Sequence, residues 1–519
     1  MDLFIEGFQS LLNVYGFLLI TFGVVMGIIF GAMPGLSATM AVALFLPVTY
    51  GLDPKMAMAL LMALYIGGTS GGLITAILIK IPGTPASVAT CWDGHPMAAK
   101  GQAVKALGTG VFYSFLGTMV SIVVLVTLAP PLAKLATRFS YYEYFSIAMF
   151  SLTMIATLSS GRVIKGVFAG VLGFTFATFG IAPIDATRRF TFGSDSLLGG
   201  FDILPVLIGL FAISELLATA QKARLPDNME ITAPNMKGVR GFGFTLLEFK
   251  QQFVNFVRSA AIGVGIGILP GIGGGTSNIL AYTVAKNQSK HPEKFGTGIL
   301  DGIVAPETAN NASIGGAMIP LLVLGIPGDT VTAMLIGGFT MHGINPGPLL
   351  FTKNADLVYS IFAALCISAI LMLVYEFYGL KIFVQMLKIP KHILMPIVFT
   401  LCVVGAYGIS SRIFDVSAIV LFGFIGYMFT VFKIPAAPFI LGFILGPMAE
   451  VNLRRGLMLS KASFEPFLTR PVSGVFLTIT VFCIIFAVLK ERKTNRLAHA
   501  AADAAAAKAD AGNMDSTKE

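Results

Sequence analysis

Long apolar runs recur along nearly the whole chain and are separated by short polar stretches. A helix needs about 20 residues to cross the hydrocarbon core of a bilayer, and most of the runs approach that length. The predicted spans are 14–30, 55–79, 106–129, 144–159, 163–182, 201–220, 259–269, 312–325, 357–378, 393–408, 413–432 and 471–489. Several runs are short or interrupted, so the pattern predicts about a dozen spans.

These runs predict helices and not strands. Strands of a membrane barrel alternate apolar and polar residues over roughly ten positions, whereas VSIVVLVTLA (120–129) and ISAILMLVY (367–375) present apolar residues on every side. The first 20 residues lack the basic start and the small-residue cleavage site of a secretion signal. We therefore expect an all-α polytopic membrane protein whose first helix has an amphipathic lead-in and stays attached.

Pro-Gly pairs interrupt the apolar pattern at four places. GAMPGLSATM (31–40) and GILPGIGGGTSN (267–278) share their Gly and Pro positions, while IPGTPA (81–86) resembles IPGDTV (326–331). Proline removes a backbone donor and clashes with the preceding turn, and glycine permits backbone angles that other residues avoid. A helix is therefore predicted to end at each pair. The predicted breaks lie at 34–35, 82–83, 270–271 and 327–328.

The matched motifs occur in the same order in each half of the chain, which indicates an internal duplication. A third pair of motifs, SSG (159–161) and SSR (410–412), keeps that order. A long polar interruption separates the halves. The predicted organisation is a first transmembrane repeat at 1–220, a polar connector at 221–250, a second transmembrane repeat at 251–490 and a cytoplasmic tail at 491–519.

Composition and charge agree with a membrane protein. Hydrophobic residues make up 55% of the chain and charged residues 12%, against roughly 25% charged in soluble domains, and the mean hydropathy is +0.83. The net charge of +9 is concentrated in connectors and in the tail, as in KERKTNR (490–496). Basic segments beside spans face the cytoplasm, and no basic patch is interleaved with aromatic residues. We therefore expect no nucleic-acid partner.

Matched helix breaks in two halves are typical of a secondary transporter, whose site lies at the repeat interface near the middle of the membrane. A broken helix exposes backbone groups that only protein or a hydrated cavity can receive. Helix starts favour an anion, and free carbonyl groups favour a small cation. We therefore predict cation-coupled transport of a carboxylate, with sodium preferred to protons.

Hydroxyl, amide and glycine residues around the breaks are the candidate ligands. The predicted substrate-binding residues are Gly35, Ser37, Thr39, Thr69, Ser70, Gly83, Thr84, Gly271, Thr276, Asn278, Asn310, Asn311, Gly328, Asp329 and Thr330. The predicted coupling-ion residues, through backbone or side chain, are Pro34, Pro82, Pro270, Glu307, Ser313 and Pro327. Lys80 is the one basic residue bordering these motifs, so helix starts, hydroxyl groups and bound cations would have to recognise the anion.

Several ionisable residues have two interpretations. Glu307 is either a cation or proton site or a helix-capping carboxylate in a PET turn. Asp329 follows a break, and we expect it to cap the next helix. His95 and His342 would titrate with the substrate or, as we prefer, form hydrogen bonds as loop residues. Trp92, the single tryptophan, is expected at the membrane interface.

Two other functions compete with a coupled transporter. The turn GTSG (68–71) resembles a serine nucleophile motif, so an intramembrane serine protease using Ser70 is one alternative. A passive anion channel is the other. Neither explains why matched breaks occur in two halves, so we expect no enzyme activity and no cofactor other than a coupling Na⁺.

The motifs also resemble a known family, the large membrane subunit of the tripartite tricarboxylate transporters. The resemblance is carried by GAMPGLSATMAVALFLPVTYGLDP, IGGTSGGLITAILIKIPGTPASVATCWDGHPMAAKGQAVKALG, GILPGIGGGTSN, APETANNASIGGAMIPLLVLGIPGDTVTAMLIGGF and INPGPLLF, and it covers about residues 14–465. It implies two inverted repeats with an elevator-like moving domain, and uptake of citrate-like or other carboxylates without ATP. It also implies a small integral-membrane subunit and a periplasmic solute-binding protein as partners. We further expect a bacterial inner-membrane location and a homodimer.

Overall fold

The computed structural model describes residues 2–158, 163–222, 241–386 and 391–487, together with Leu489. Most of the predicted connector, the SSG motif (159–161) and the predicted tail lie outside these residues. The described chain is predominantly helical, and its strands form one short hairpin. The prediction of a helical membrane protein is therefore confirmed.

The helices follow one another closely along the chain. The first eleven are α1 (Asp2–Leu11), α2 (Val14–Ala32), α3 (Ala38–Phe45), α4 (Pro54–Ile79), α5 (Thr90–Met97), α6 (Ala103–Ala136), α7 (Tyr141–Leu158), α8 (Val163–Ala177), α9 (Ile203–Ile208), α10 (Ser214–Lys222) and α11 (Leu246–Gln251). The others are α12 (Phe253–Ile268), α13 (Gly273–Gln288), α14 (Asp301–Leu324), α15 (Thr330–Met341), α16 (Leu350–Lys353), α17 (Ala355–Tyr378), α18 (Leu380–Met386), α19 (Lys391–Ser410), α20 (Ile413–Val431), α21 (Ala436–Leu459), α22 (Glu465–Thr469) and α23 (Pro471–Ala487). Strands β1 (Gly180–Ile181) and β2 (Arg188–Arg189) pair antiparallel.

Seven helices in the described part of the chain are long and apolar enough to cross a membrane, and shorter apolar helices accompany them. One of the seven, α21, is absent from the spans that the apolar pattern predicts. Pro438 and Pro447 interrupt its sequence, and Glu450 and Arg454 add charge near its end. The fully apolar criterion therefore missed a helix whose ends carry polar residues. The total of about a dozen spans stays a prediction.

The chain packs as two compact units. Unit 1 comprises Met1–Phe139 and Phe179–Ala437, and unit 2 comprises Ser140–Thr178 and Pro438–Glu519. Each unit draws on both halves of the chain, so the packing units do not coincide with the predicted repeats. The repeats are a predicted duplication of the sequence, whereas the units are defined by contacts in the structure. The units therefore do not test the repeats, and the assignment of repeats stays a prediction.

Glycine residues let the central helices of unit 1 pack backbone to backbone. A Cβ atom placed on Gly67 of α4 would lie 2.4 Å from the Val24 carbonyl oxygen of α2. A Cβ on Gly263 of α12 would lie 2.3 Å from the Ala309 carbonyl oxygen of α14. Small residues at such crossings are the usual means of helix association in membranes. As a result, α4 and α14 are each held tightly by a partner helix.

Unit 2 is built from α7, α8, α21, α22 and α23. Helices α8 and α21 also approach closely, because a Cβ on Gly442 would lie 2.0 Å from the Gly170 carbonyl oxygen. The buried Glu143 carboxylate of α7 is paired with the Arg470 guanidinium at 3.2 Å. This pair shows how the fold compensates a buried charge when a basic side chain is within reach.

Candidate functional site

The first and third breaks have the same construction. Helix α2 ends at Ala32, and the chain turns at Gly35, whose φ is +94°, before α3 begins. Helix α12 ends at Ile268, and the chain turns at Gly271, whose φ is +74°, before α13 begins. Both φ values lie in the left-handed region that favours glycine. The predicted breaks at 34–35 and 270–271 are therefore confirmed.

The second and fourth breaks both use a left-handed residue after a long helix. Helix α4 is followed by Lys80 with φ +59°, and α14 by Gly325 with φ +72°. The fourth break ends at Asp329, whose Oδ1 accepts the N–H and O–H of Thr332 at 2.7 and 2.8 Å. Asp329 is the N-cap of α15, so its predicted capping role is confirmed.

The first break contacts both the second and the fourth. A Cβ placed on Gly83 in the second break would lie 2.2 Å from the Gly31 carbonyl oxygen. The hydroxyl groups of Thr39 in α3 and Thr330 in α15 are 2.9 Å apart. Residues of both halves of the chain therefore meet directly here.

The third break contacts the second and the fourth in turn. A Cβ placed on Gly274 would lie 3.4 Å from the Ala86 side chain, next to the second break. A Cβ placed on Gly273 would lie 2.8 Å from the Asp329 side chain in the fourth break. With the two contacts of the first break, these complete a closed ring of four helix breaks. Elements separated by hundreds of residues thus form one cluster in unit 1.

The motifs between the breaks lie inside helices. GGTSGG (67–72) belongs to α4 and PETANNAS (306–313) to α14, and both segments are buried. The PET turn proposed from the sequence was therefore wrong, because Pro306 starts no turn and Glu307 is six residues into a continuous helix. Glu307 accordingly does not cap a helix, and a role as a cation or proton site is the interpretation left open.

Asn310 connects these two helices at the ring. Its Nδ2 donates to the Thr69 carbonyl oxygen of α4 at 3.3 Å. A Cβ placed on Gly274 would lie 2.3 Å from its Oδ1 and 3.3 Å from the Ser313 hydroxyl. Only glycine therefore fits at position 274, and the third break is pressed against the middle of α14.

Glu307 is fully buried among hydroxyl groups. Thr90 donates to its Oε1, and Ser114 donates to its Oε2 at 3.0 Å. Asn311 donates from Nδ2 to the Ser114 hydroxyl at 2.8 Å and to the Glu307 carbonyl oxygen at 3.1 Å. Asn278 of α13 accepts the Ala89 N–H at 2.9 Å beside this group. The predicted residues Asn278, Glu307 and Asn311 are thus brought together.

Three oxygen atoms around the ring have no hydrogen-bond partner in the described structure. They are Oδ1 of Asn310, Oδ1 of Asn311 and Oγ1 of Thr84, and all three residues are buried. Most buried polar atoms in proteins are paired, so unpaired ones call for a specific explanation. Neutral amide and hydroxyl oxygens are ligands for hard cations. Each of the three atoms is therefore a candidate cation ligand.

Two of the predicted substrate-binding residues, Thr276 and Ser70, do not belong to the group around Glu307. Thr276 is on the exposed side of α13, away from the buried cluster. Ser70 lies in α4 and donates its hydroxyl hydrogen to Oε2 of Glu376 at 2.6 Å. No described histidine contacts Ser70, so the arrangement of a serine nucleophile with a histidine base is not found at that residue.

Of these two histidines, His95 lies inside a helix, whereas His342 lies in the turn that follows one. His95 is within α5, and its Nδ1 is 3.2 Å from the Ile77 carbonyl oxygen. His342 is the C-cap of α15, and its Nε2 has no hydrogen-bond partner in the described structure. Trp92 is partly exposed and packs edge-on against Tyr282, with ring centroids 4.7 Å apart. The hydrogen-bonding role that we expected is therefore found for His95 alone.

Several buried polar residues escaped the sequence analysis, among them Tyr65, Asp93 and Glu376. Tyr65 donates to Oδ2 of Asp329 at 2.5 Å. Asp93 is fully buried in α5, and Glu376 is fully buried in α17. A carboxylate inside an apolar run is rare and usually functional. That signal, in LMLVYEFYG, would have identified Glu376, whereas Asp93 lies between two predicted spans and gave no such signal.

Asp93 forms the most extensively bonded carboxylate of this region. It accepts backbone N–H groups from Gly296 at 2.9 Å, Gly298 at 2.8 Å and Ile299 at 3.1 Å. It also accepts the Tyr282 hydroxyl at 2.8 Å. Asp93 therefore fastens the loop between α13 and α14 to α5.

These features define a multi-pass membrane protein whose broken helices meet in a buried polar cluster. The chain belongs to the tripartite tricarboxylate transporter TctA family, whose model matches residues 17–441. The resemblance noted in the sequence is thereby confirmed. The family is one of transporters, and the chain is the large membrane subunit of a system with three parts.

Two proteins of Agrobacterium vitis are similar to the chain. An uncharacterized 52.8 kDa protein in the TAR-I ttuC' 3' region is 33% identical over 490 residues, which are 94% of this chain and 96% of that protein. An uncharacterized protein in the TAR-II ttuC' 3' region is 37% identical over 231 residues, which are 44% of this chain and 96% of that protein. No solved structure matches the chain.

Proposed function

We propose that the chain is a secondary active transporter that couples uptake of a tricarboxylate or related carboxylate to inward movement of Na⁺. The observation that carries this proposal is the closed ring of four helix breaks. A ring of helix ends places backbone N–H and carbonyl groups together in a buried region, where their electrostatic effect is strong. Membership of a tricarboxylate transporter family supports the choice of anion.

The anion is assigned to the helix starts of the ring. Helices α3, α13 and α15 all begin at a break. Ser37 caps the Met40 N–H of α3 and Asp329 caps the Thr332 N–H of α15, and the other N–H groups of these first turns have no partner within the helix. Ser37, Thr39 and Thr330 add hydroxyl groups beside these starts. A carboxylate is bound well by such donors without a basic side chain.

The cation is assigned to the oxygens that lack partners. Asn310, Asn311 and Thr84 supply them, and Glu307 supplies a negative charge among the same helices. Na⁺ bound there would offset the charge of the incoming carboxylate. Loading both ligands then favours a second conformation only if each binds that conformation more tightly.

Assembly and motion complete the proposal. Two inverted repeats would carry the ring across the membrane as an elevator-like unit. A periplasmic solute-binding protein would deliver the carboxylate, and a small integral-membrane subunit would accompany this chain, here as a homodimer in the bacterial inner membrane. The tripartite character of the family supports both partners.

Uptake into proteoliposomes tests the function. Vesicles containing this chain and its two partners receive a panel of labelled carboxylates, with and without an inward Na⁺ gradient. We expect accumulation above equilibrium that needs both the gradient and the binding protein. Uptake that ignores the gradient and stops at equilibrium would instead identify a passive anion channel.

Asn310→Ala tests the cation assignment in the same assay. We expect the Na⁺ concentration for half-maximal uptake to rise at least about tenfold, because one ligand oxygen worth roughly 1.4 kcal/mol is lost. Asn452→Ala is the matched control, since Asn452 lies in unit 2 and donates to the Met448 carbonyl oxygen. An unchanged Na⁺ dependence in Asn310→Ala would refute the assignment.

A further inference from the structure

Glu376 is a buried carboxylate that the proposed Na⁺ site does not use. It lies near the C-terminal end of α17 and has no exposed surface. Its Oε2 accepts the Ser70 hydroxyl at 2.6 Å, while its Oε1 has no hydrogen-bond partner in the described structure. An uncompensated carboxylate anion in a protein interior is strongly destabilising. The negative charge of Glu376 therefore requires compensation.

Two other buried carboxylates of the chain, Glu143 and Asp93, are compensated by their neighbours. Glu143 is paired with Arg470 at 3.2 Å and also accepts the Ser140 N–H at 2.8 Å. Asp93 accepts three backbone N–H groups and a tyrosine hydroxyl. Glu376 has one hydroxyl donor in the same described structure. It differs from them in having a single hydrogen-bond donor and no basic partner to stabilise its ionised form.

The helices around Glu376 supply no cation to it. Helix α17 packs against α1, α2, α4, α6, α16 and α18. The titratable side chains described on those helices are Glu6, Tyr15, Lys55, Tyr65, Lys105, Tyr113, Lys134, Lys353 and Lys381. No hydrogen bond or ion pair of the described structure joins any of them to Glu376.

Two of those lysines are already paired with other carboxylates. Lys55 is paired with Asp356 at the opposite end of α17, at 2.9 Å, and Lys105 is paired with Glu248. Glu307 of α14 is a second buried carboxylate of unit 1. The surroundings therefore oppose an anion at Glu376.

We propose that Glu376, together with Ser70, is a reversible proton-binding site in the core of unit 1. Its carboxylate takes one proton from water to form a neutral carboxylic acid and returns that proton to water when the site opens. Hard metal cations take about six oxygen ligands, whereas the site offers two residues, Glu376 and Ser70. A proton needs a single oxygen, and Oε1 is free to take it.

The proton site makes transport depend on pH in addition to Na⁺. The conformation described here buries Glu376 and therefore requires its carboxyl group to be neutral. Molecules in which Glu376 is ionised cannot adopt this conformation and do not complete the transport cycle. This consequence rests on the proposed transport function. The existence of the proton site does not.

Infrared difference spectroscopy between acid and alkaline pH tests the site without transport. We expect a carboxylic acid C=O band in the full-length chain that is absent from Glu376→Gln and retained in Glu143→Gln, whose carboxylate is held ionised by Arg470. Ser70→Ala should keep the band and displace its frequency and its pH midpoint, because the hydrogen bond from the hydroxyl is lost. A spectrum of Glu376→Gln identical to that of the wild type would overturn the proposal, and so would a Ser70→Ala band unchanged in frequency and midpoint.

Proteoliposome uptake at a series of pH values tests the consequence. We expect wild-type uptake to fall about tenfold per pH unit above the midpoint, whereas uptake by Glu376→Gln changes less than about twofold, because glutamine stays neutral. A Glu376→Gln profile that follows the wild type would overturn the pH coupling. If the wild type transports no carboxylate at all, the proposed function fails, and the infrared result still decides whether Glu376 binds a proton.

Discussion

Gly83→Ala is expected to abolish carboxylate uptake. The added Cβ would lie 2.2 Å from the Gly31 carbonyl oxygen, 2.9 Å from Gly72 Cα and 3.0 Å from the Thr75 hydroxyl. Two of these atoms belong to backbone, which cannot rotate away. The first and second breaks must then separate, and the ring of helix breaks opens. Overpacking of this kind costs about 1–3 kcal/mol, so thermal unfolding in detergent should show a moderately lowered midpoint.

Measurements of uptake distinguish a loss of transport in Gly83→Ala from a loss of stability. At a temperature where Gly83→Ala remains folded, we expect at least about a hundredfold loss of uptake, equivalent to roughly 2.8 kcal/mol. Gly265→Ala is the matched control, because Gly265 lies in α12 with nothing within 4 Å of an added Cβ. That variant should transport normally. A Gly83→Ala chain that transports like the wild type would show that the tight contact between the first two breaks is dispensable.

Asp93→Ala is expected to cause the largest loss of stability. The substitution removes the acceptor for three backbone N–H groups and for the Tyr282 hydroxyl. At about 1 kcal/mol for each bond, the free energy of unfolding should fall by about 4 kcal/mol. The loop that contains Gly296 and Ile299 should then exchange its amide hydrogens faster. Hydrogen exchange and thermal unfolding of the purified chain measure the two effects.

Two further variants provide a comparison for the loss of stability in Asp93→Ala. Tyr282→Phe removes a single hydrogen bond, so the expected loss is about 1 kcal/mol. Glu293→Ala alters an exposed residue whose partner is the equally exposed His291, and its expected effect is close to zero. If Asp93→Ala unfolds no more readily than Tyr282→Phe, the backbone bonds to the loop contribute nothing to stability.

Local rules located the helix breaks correctly. Proline and glycine restrict or free the backbone of their own residue, so the positions of the breaks could be read without knowing any neighbour. The capping role of Asp329 followed from its place just after Pro327 and Gly328. The structural role of Glu307 could not be predicted in this way, because a proline at position 306 is compatible both with a turn and with the first part of a helix. Its place six residues into α14 is decided by packing against α6 and α12.

The acidic residues of the chain show which features local sequence rules could not predict. The sequence analysis weighed Glu307 and Asp329 because they stand beside predicted breaks. It passed over Asp93 and Glu376, whose importance comes from partners elsewhere. The partner of Glu376 is Ser70, 306 residues away, and the nearest backbone donor to Asp93 in the sequence is Gly296, 203 residues away.

The sequence by itself determined that this is a helical membrane protein of a transporter family, with breaks at four places. Those properties depend on hydrophobicity, on proline and glycine, and on motifs that are continuous in the chain. Only the tertiary structure decided that the four breaks form a ring, that α4 and α14 are continuous helices up to the second and fourth breaks, and that Glu376 lies against Ser70. These contacts join residues that are far apart in sequence, and close packing of glycine-rich helices selects them, so no local pattern could specify them.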